Sequence, residues 1–330
     1  MIRFSGAGRR CSRNTSETVG FLTKSTPSSS SPLIPATAGQ VPFHPARAGW
    51  TFVRPSVIPG FGLTLGYTLT YLSLIVLIPL AALFFKSATL PWSRIVEIAT
   101  AHRTVQALWV SFGSSLLAAL VNVVFGLVVA WVLVRYRFPG KRILDAIVDL
   151  PFALPTAVAG IALSSLYAPK GWIGWFVGPN GPLHLGWKIA YTPSGIVVAL
   201  IFIGLPFVVR TVQPVLEEFE QELEEAAATL GANRWQTITR IILPRLTPAI
   251  LTGFSLAFAR AVGEYGSVIF IAGNLPNQSE IAPLLIIIKL EEFDIPGAAV
   301  IATIMLVLAF AMLLVINLIQ AWARRRYGDV

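Results

Sequence analysis

Long apolar segments alternate with shorter polar ones through most of the chain. Most of the apolar segments reach the ~20 residues that an α-helix needs to cross ~30 Å of hydrocarbon. Pro151 and Pro155 lie close enough together to interrupt the third segment, and backbone groups freed in this way are tolerated inside a helix bundle. The pattern predicts an all-α polytopic membrane protein with six transmembrane helices. The predicted spans are 61–85, 105–134, 143–167, 195–212, 246–272 and 297–321.

The first 55 residues differ from the rest, because they are rich in Ser, Pro and Arg and contain no apolar run. This composition is typical of a disordered tail, so we predict such a tail at 1–55 and a transmembrane domain at 56–326. A transit peptide has the same basic, Ser-rich character and would place the protein in an organelle membrane. A start codon assigned too far upstream would also produce a segment of this kind.

Charged residues make up only 12% of the chain and hydrophobic residues 55%, whereas a soluble domain has about 25% charged residues. The net charge is +9, with the basic residues mainly in the tail and in loops. Membrane orientation explains this distribution better than nucleic-acid binding does. Because Cys11 is the only cysteine and the histidines (His44, His102 and His184) are scattered, the sequence predicts no intramolecular disulfide and no metal centre.

The basic residues also predict which side of the membrane each loop faces. Four basic clusters alternate with loops that are poorer in Lys and Arg, so all four fall on one side of a six-span topology. The positive-inside rule makes that side the cytoplasm, which then holds both termini and the polar segment at 213–245. The clusters contain Arg47 and Arg54; Arg135, Arg137, Lys141 and Arg142; Arg210, Arg234, Arg240 and Arg245; and Arg324, Arg325 and Arg326.

The polar segment at 213–245 is predicted to form two short amphipathic helices. Gly231 can adopt the left-handed backbone that ends the first helix, and Asn233 can cap the second. Pro244 marks the return to the membrane, so the segment forms an elbow that suits docking onto another protein. The predicted apolar positions are Leu216, Phe219, Leu223, Ala226 and Leu230 in the first helix, and Trp235, Ile238, Ile241 and Ile242 in the second.

The spacing within this segment resembles the EAA loop of ABC importer permeases: Glu225-Ala226-Ala227, three residues, Gly231, nine residues, Ile241, one residue, Leu243-Pro244. The alternative is an ordinary amphipathic surface helix, which has no reason to carry Gly and Pro at these offsets. The resemblance implies a type I ABC importer permease fold with a cytoplasmic coupling helix between helices 4 and 5. The first four residues would then form the contact and turn of the coupling helix, and the last three its return to the membrane.

Three further stretches indicate which ABC importer permeases the chain resembles most. Residues 258–274, with Arg-x-x-x-Glu-Tyr-Gly at 260–266, are similar to the fifth span of oxyanion-importer permeases. Residues 59–80 and 279–294 resemble more narrowly the CysT-type permease subunit of sulfate/thiosulfate importers. The likeness covers about 55–326 and implies that the protein imports sulfate or thiosulfate by alternating access.

The resemblance also implies an assembly in the cell inner membrane, in which this chain is a non-catalytic subunit without a bound cofactor. A separate ATPase, present in two copies, uses the ATP. The expected partners are a second, homologous permease subunit and an extracytoplasmic sulfate- or thiosulfate-binding protein, with membrane lipid around them and no nucleic acid. The residues agree, because the only Gly-Lys pair, Gly140-Lys141, is followed by Arg142 and does not complete a P-loop.

Three ionisable residues lie well inside the predicted spans, where unpaired charges are costly. Arg260 and Glu264 are one turn apart on one helix face, and Asp149 precedes Pro151 in the third span. One interpretation is that Arg260 contributes positive potential to an anion pathway that Glu264 orients or gates. The other is an intramembrane ion pair that Asp149 joins, which the zero net charge of the Arg260–Glu264 pair favours.

Other functions remain open at this point. A molybdate or other oxyanion importer would share Arg260 and Glu264, although the narrower resemblances favour sulfate. A stand-alone secondary transporter or channel would often show an inverted repeat, and the sequence contains no convincing one. A membrane enzyme has little support, because the spans contain no nucleophile–base pair that would form a catalytic site.

Overall fold

The computed structural model describes residues 61–178, 181–182, 186–219 and 221–327. The predicted tail at 1–55 and His184 lie outside these residues, which form helices and contain no strand. The helices are α1 (Phe61–Leu72), α2 (Ile78–Ser87), α3 (Trp92–Thr100), α4 (His102–Arg135), α5 (Lys141–Val148), α6 (Leu150–Ala153), α7 (Thr156–Tyr167), α8 (Trp172–Val177), α9 (Pro193–Glu217), α10 (Gln221–Thr229), α11 (Arg234–Thr237), α12 (Leu243–Val262), α13 (Val268–Ile271), α14 (Ala282–Glu291) and α15 (Ile295–Tyr327).

Five stretches of helix in the described part of the chain are long and apolar enough to cross a membrane. Two of them join shorter helices through a π-helical turn, since α1 continues into α2 and α11 continues into α12. Many large apolar side chains on these helices are exposed, which is expected where a helix faces lipid or another membrane subunit. The five stretches are Gly62–Ser87, His102–Arg135, Pro193–Glu217, Arg234–Val262 and Ile295–Trp322.

The predicted third span, 143–167, is divided among α5, α6 and α7 rather than forming one helix. Pro151 lies in the first turn of α6, and Pro155 immediately precedes α7. At the start of a helix a proline loses no intrahelical hydrogen bond. The prediction that these prolines interrupt the segment is therefore confirmed, whereas the count of six spans remains a prediction.

The predicted fifth span, 246–272, has different bounds in the structure. The helix begins at Arg234, runs through Pro244 and ends at Val262, after which residues 263–267 turn into the short helix α13. Glu264 therefore lies beyond the end of α12 and not one helical turn further inside a span, as the sequence suggested. The sequence did not predict this break, because the apolar run of residues 268–272 follows the turn directly.

Both π-helical turns precede a proline by two residues. They span Ser73–Leu77 before Pro79 and Ile238–Ile242 before Pro244. A proline within a helix clashes with the carbonyl four residues earlier and cannot donate to it. In each turn the residue before the proline donates its backbone N–H five residues back, Ile78 to Ser73 and Leu243 to Ile238. The wider turn lets each helix pass its proline without ending.

The core of the bundle is formed by α4, α9 and α12, which pack along one another. Glycines allow this close approach, since a Cβ on Gly126 would lie 2.8 Å from Val208 and one on Gly204 would lie 2.4 Å from the Asn122 amide nitrogen. Asn122 is only 1% exposed. Neither of its amide atoms has a hydrogen-bond partner among the described residues, so this conformation carries an unsatisfied polar group at its centre.

Candidate functional site

The polar segment predicted as an elbow turns at Gly231. The backbone of Gly231 has φ +83°, in the left-handed region that glycine adopts without steric cost. Its N–H donates to the Ala228 carbonyl at 3.0 Å, and the Ala232 N–H donates to the Ala227 carbonyl at 3.0 Å. This pair of hydrogen bonds is a Schellman motif, which satisfies the last carbonyls of α10. We call α10, this turn and α11 (221–237) the elbow.

The second helix of the elbow begins with a capping box. The Asn233 side chain accepts from the Gln236 N–H at 2.8 Å, and the Gln236 side chain accepts from the Asn233 N–H at 2.9 Å. The prediction that Asn233 caps this helix is confirmed. Because both ends of the turn are satisfied by local hydrogen bonds, its angle is determined by its own sequence.

In the predicted apolar stripe of the first helix, Leu216, Phe219 and Leu223 pack against the core, whereas Ala226 and Leu230 do not. Leu216 belongs to α9, which ends at Glu217, and the chain restarts as α10 only at Gln221. This interruption changes the helical phase, so Ala227 is the buried alanine, at 5% exposure, whereas Ala226 is exposed. Leu230, which was assigned to the buried stripe, is 89% exposed.

The elbow therefore has an inner and an outer surface. Leu223 and Ala227 face the bundle, with Glu224 half-buried beside them. The outer surface consists of Glu225, Ala226, Leu230 and Trp235, all of which are exposed. Trp235 is 72% exposed and lies four residues after Gly231. Two large apolar side chains exposed on a charged segment are typical of a surface that binds another protein.

The structure places Ile241, Leu243 and Pro244, which the sequence predicts at the return to the membrane, inside a helical stretch that already begins at Arg234. They lie in and just after the second π-helical turn, within the continuous stretch Arg234–Val262. Ile241 is half-buried against the core, and Leu243 is 39% exposed. The helix α11 of the elbow therefore continues into α12 without a loop.

Arg260 and Glu264 form an ion pair. Glu264 is buried, and one of its oxygens also accepts from the Ser267 N–H at 2.9 Å and the Ser267 hydroxyl at 3.0 Å. Arg260 lies in the last turn of α12, where a cation is favoured by the helix dipole. The pair holds together the turn between α12 and α13, which is a structural arrangement of the kind that the ion-pair interpretation expects.

Asp149 does not join this pair. Its carboxylate forms a bidentate contact with Arg210 of α9, with Nε–Oδ1 at 2.8 Å and Nη2–Oδ2 at 2.5 Å. Arg210 also donates to Asp145 at 2.8 Å and to Gln213 at 2.7 Å. The cluster fastens the broken segment α5–α6 to α9. Three helices, α6, α7 and α8, lie between Asp149 and Arg210 in the chain. The pairing could therefore not be predicted from local spacing.

No group of three or more His, Cys, Asp or Glu side chains in the described ranges could hold a metal ion. The charged side chains that carry structure in this region are paired with one another rather than gathered in a reactive cleft.

Apolar helices long enough to cross a membrane, with a polar elbow at the start of one of them, are typical of the membrane subunit of a transporter. Residues 122–329 match the family model for the binding-protein-dependent transport system inner membrane component. The chain belongs to this family. It is 52% identical to the sulfate transport system permease protein CysT of Synechococcus elongatus over 79% of this chain and 92% of that protein. It is 47% identical to the Escherichia coli protein of the same description over 82% of this chain and 96% of that protein.

The fold agrees with this membership. A crystal structure of a bacterial ABC transporter involved in the import of alginate contains a chain that superimposes with a TM-score of 0.65 at 17% identity. The superposition covers 79% of this chain and 94% of the other. The protein is therefore a multi-pass membrane protein with the ABC importer permease fold. It is a non-catalytic permease subunit, and ATP is hydrolysed on a separate chain.

Proposed function

We propose that this chain is the permease subunit of an importer for sulfate and thiosulfate. The observation that supports this most strongly is the 52% identity, over nearly all of the relative's length, to a permease described as part of a sulfate transport system. The resemblance of residues 59–80 and 279–294 to sulfate/thiosulfate permeases supports the same substrate class. The anion crosses by alternating access of the helix bundle.

The elbow is the surface on which the separate ATPase docks. Its outer surface offers Leu230 and Trp235 as apolar anchors, with Glu225 and Ala226 beside them. Two ATPase copies serve two permease subunits, of which the second is a different homologous chain. An extracytoplasmic binding protein for sulfate or thiosulfate delivers the anion to the opposite side.

The distribution of basic residues supports an orientation in which both termini and the elbow are cytoplasmic. We propose the cell membrane as the location, the inner membrane where there are two. If residues 1–55 are a transit peptide, the same orientation applies to an organelle membrane.

The substrate proposal is tested by measuring radiolabelled sulfate uptake in a strain that lacks this gene, with thiosulfate and molybdate as competitors. Other candidate importers are deleted in the same strain, so that they cannot mask a loss. We expect uptake to disappear, to return when the gene is restored, and to be inhibited by thiosulfate. Intact sulfate uptake together with lost molybdate uptake would replace sulfate by molybdate and leave the permease assignment unchanged.

A further inference from the structure

Arg135, the last residue of α4, contacts the inner surface of the elbow. Its guanidinium forms an ion pair with Glu224, the residue before Glu225 of the outer surface. The guanidinium carbon lies 5.3 Å from the centre of the Trp131 ring and 5.9 Å from that of the Phe219 ring. The Arg135 side chain is only 17% exposed. These contacts hold the cation between two aromatic rings and one carboxylate, an arrangement that restricts its position.

The contact between Arg135 and Glu224 joins α4 to the elbow, which are otherwise linked only through packing. The elbow is covalently continuous with α9 on one side and with α12 on the other. A displacement of the elbow is transmitted to these two helices through the backbone. The helix α4 has no such connection, and its end meets the elbow through Arg135 and Glu224.

The packing beside this contact is incomplete. A groove of about 350 Å³ lies next to the ion pair, bordered by Trp131 of α4, Ala228 of α10 and Thr237 of α11. Apolar surfaces separated by an open groove can slide or rock against each other. An ion pair with a defined geometry resists such movement, particularly where both partners are partly shielded from water.

Phe219 extends the contact to a third helix. It is buried at 8% exposure, and the guanidinium of Arg245 on α12 also lies 5.9 Å from the centre of its ring. The short link between α9 and α10 is therefore in contact with cations from both α4 and α12. Of these two cations, Arg135 also pairs with Glu224.

We infer that Arg135 is a positioning residue that couples α4 to the elbow, so that movement imposed on the outer surface by the ATPase reaches α4 through Glu224. The inference rests on the proposed docking of an ATPase at the elbow. It goes beyond that docking, because it assigns the transmission of movement to a contact within the permease itself.

The experiment uses the complete importer in liposomes and compares Arg135→Gln with Arg137→Gln. Arg137 is exposed and lies in the same basic loop, so the control removes the same charge without removing the contact. Glu224→Gln is compared in the same way with Glu218→Gln, which replaces an exposed carboxylate before the elbow. Sulfate uptake and ATP hydrolysis are measured on the same samples.

We expect Arg135→Gln and Glu224→Gln to lower the sulfate moved per ATP hydrolysed by about five- to tenfold, the lower range of coupling between sites. The two control variants keep the wild-type ratio. The charge reversal Arg135→Glu with Glu224→Arg restores a large part of the ratio. Equal ratios in Arg135→Gln and Arg137→Gln, or a reversal that folds without any recovery, would overturn the inference.

A second readout does not depend on the substrate. Spin labels at Glu222 of α10 and Val128 of α4, both exposed, report the distance between the elbow and α4 after Cys11 is replaced by Ser. We expect the distance distribution to broaden in Arg135→Gln but not in Arg137→Gln. A distance distribution that is the same in Arg135→Gln as in the wild type would overturn the inference. This readout needs no transport, so it remains decisive even if the wild-type importer moves no sulfate and the proposed function fails. If Arg135→Gln does not fold, Glu224→Gln decides by the same criteria.

Discussion

Individual charged residues in this protein are paired according to the helices that pack around them. Arg260 and Glu264 are four residues apart, so their contact follows from local spacing. Asp149 and Arg210 are 61 residues apart and meet only because α5–α6 lies against α9. The sequence therefore predicted the pair of Arg260 and Glu264. Its suggestion that Asp149 joins this pair was wrong.

The ion pair of Arg260 and Glu264 leads to a prediction that separates its two interpretations. Arg260→Gln leaves the buried Glu264 carboxylate without its cation, whereas Glu264→Gln leaves an arginine whose side chain is 36% exposed. We expect Arg260→Gln to lower the thermal unfolding temperature more than Glu264→Gln does, because an uncompensated buried charge is the costlier defect.

The double variant Arg260→Gln with Glu264→Gln removes both charges and serves as the control. We expect it to recover most of the unfolding temperature that Arg260→Gln loses. If sulfate uptake recovers together with stability, Arg260 acts through the fold. Uptake that stays lost in a stable double variant would show that Arg260 contributes to the anion pathway instead.

At the scale of the elements, the elbow was predictable wherever short-range hydrogen bonds decide the structure. The glycine turn and the asparagine cap follow from residues within five positions of each other. The buried face of α10 was not predictable, because the interruption after Glu217 shifts the phase of the following helix. The stripe that includes Leu216 and Leu230 therefore joined residues from two different helices.

The turn of the elbow can be tested against a matched glycine. Gly231 and Gly140 have φ +83° and +88°, and neither has an atom within 4 Å of the position that a Cβ would occupy. A valine at either site therefore introduces a comparable backbone strain, roughly 1–2 kcal/mol for a left-handed residue. We expect Gly231→Val to reduce the recovery of the ATPase subunit with the purified permease, and Gly140→Val to leave it unchanged.

Membrane insertion, measured by the amount of permease in the membrane fraction, should be the same for both glycine variants. If the ATPase is recovered equally with Gly231→Val and Gly140→Val, the angle of the elbow does not govern docking. That result would overturn the coupling role of the elbow and leave the family membership unchanged, because the membership rests on the match over residues 122–329.

At the scale of the whole molecule, Trp172 precedes α9 in the chain and the elbow follows it, so one helix long enough to cross a membrane lies between them. Trp172 is 86% exposed and Leu230 is 89% exposed. A cysteine at either position is open to a reagent in cells that lack the ATPase subunit, which the docking proposal places over Leu230. With Cys11 replaced by Ser, we expect an impermeant maleimide to label Trp172→Cys in intact cells. Leu230→Cys should react only after the membrane is permeabilised, because the basic loops lie on its side.

The reverse labelling pattern would contradict the proposed orientation and, with it, the docking of a cytoplasmic ATPase at the elbow. Labelling of both cysteines from outside would show that the preparation was leaky, which a cytoplasmic marker enzyme checks in the same cells.

The sequence by itself determined the class of the protein, the approximate positions of most spans, the break at Pro151 and Pro155, and the turn of the elbow. Each of these depends on apolar length or on hydrogen bonds between near neighbours. Only the tertiary structure decided that the fifth span begins in the elbow, that Asp149 pairs with Arg210, and that Arg135 meets Glu224. These features depend on how helices distant in sequence pack together, which periodicity along one chain does not encode.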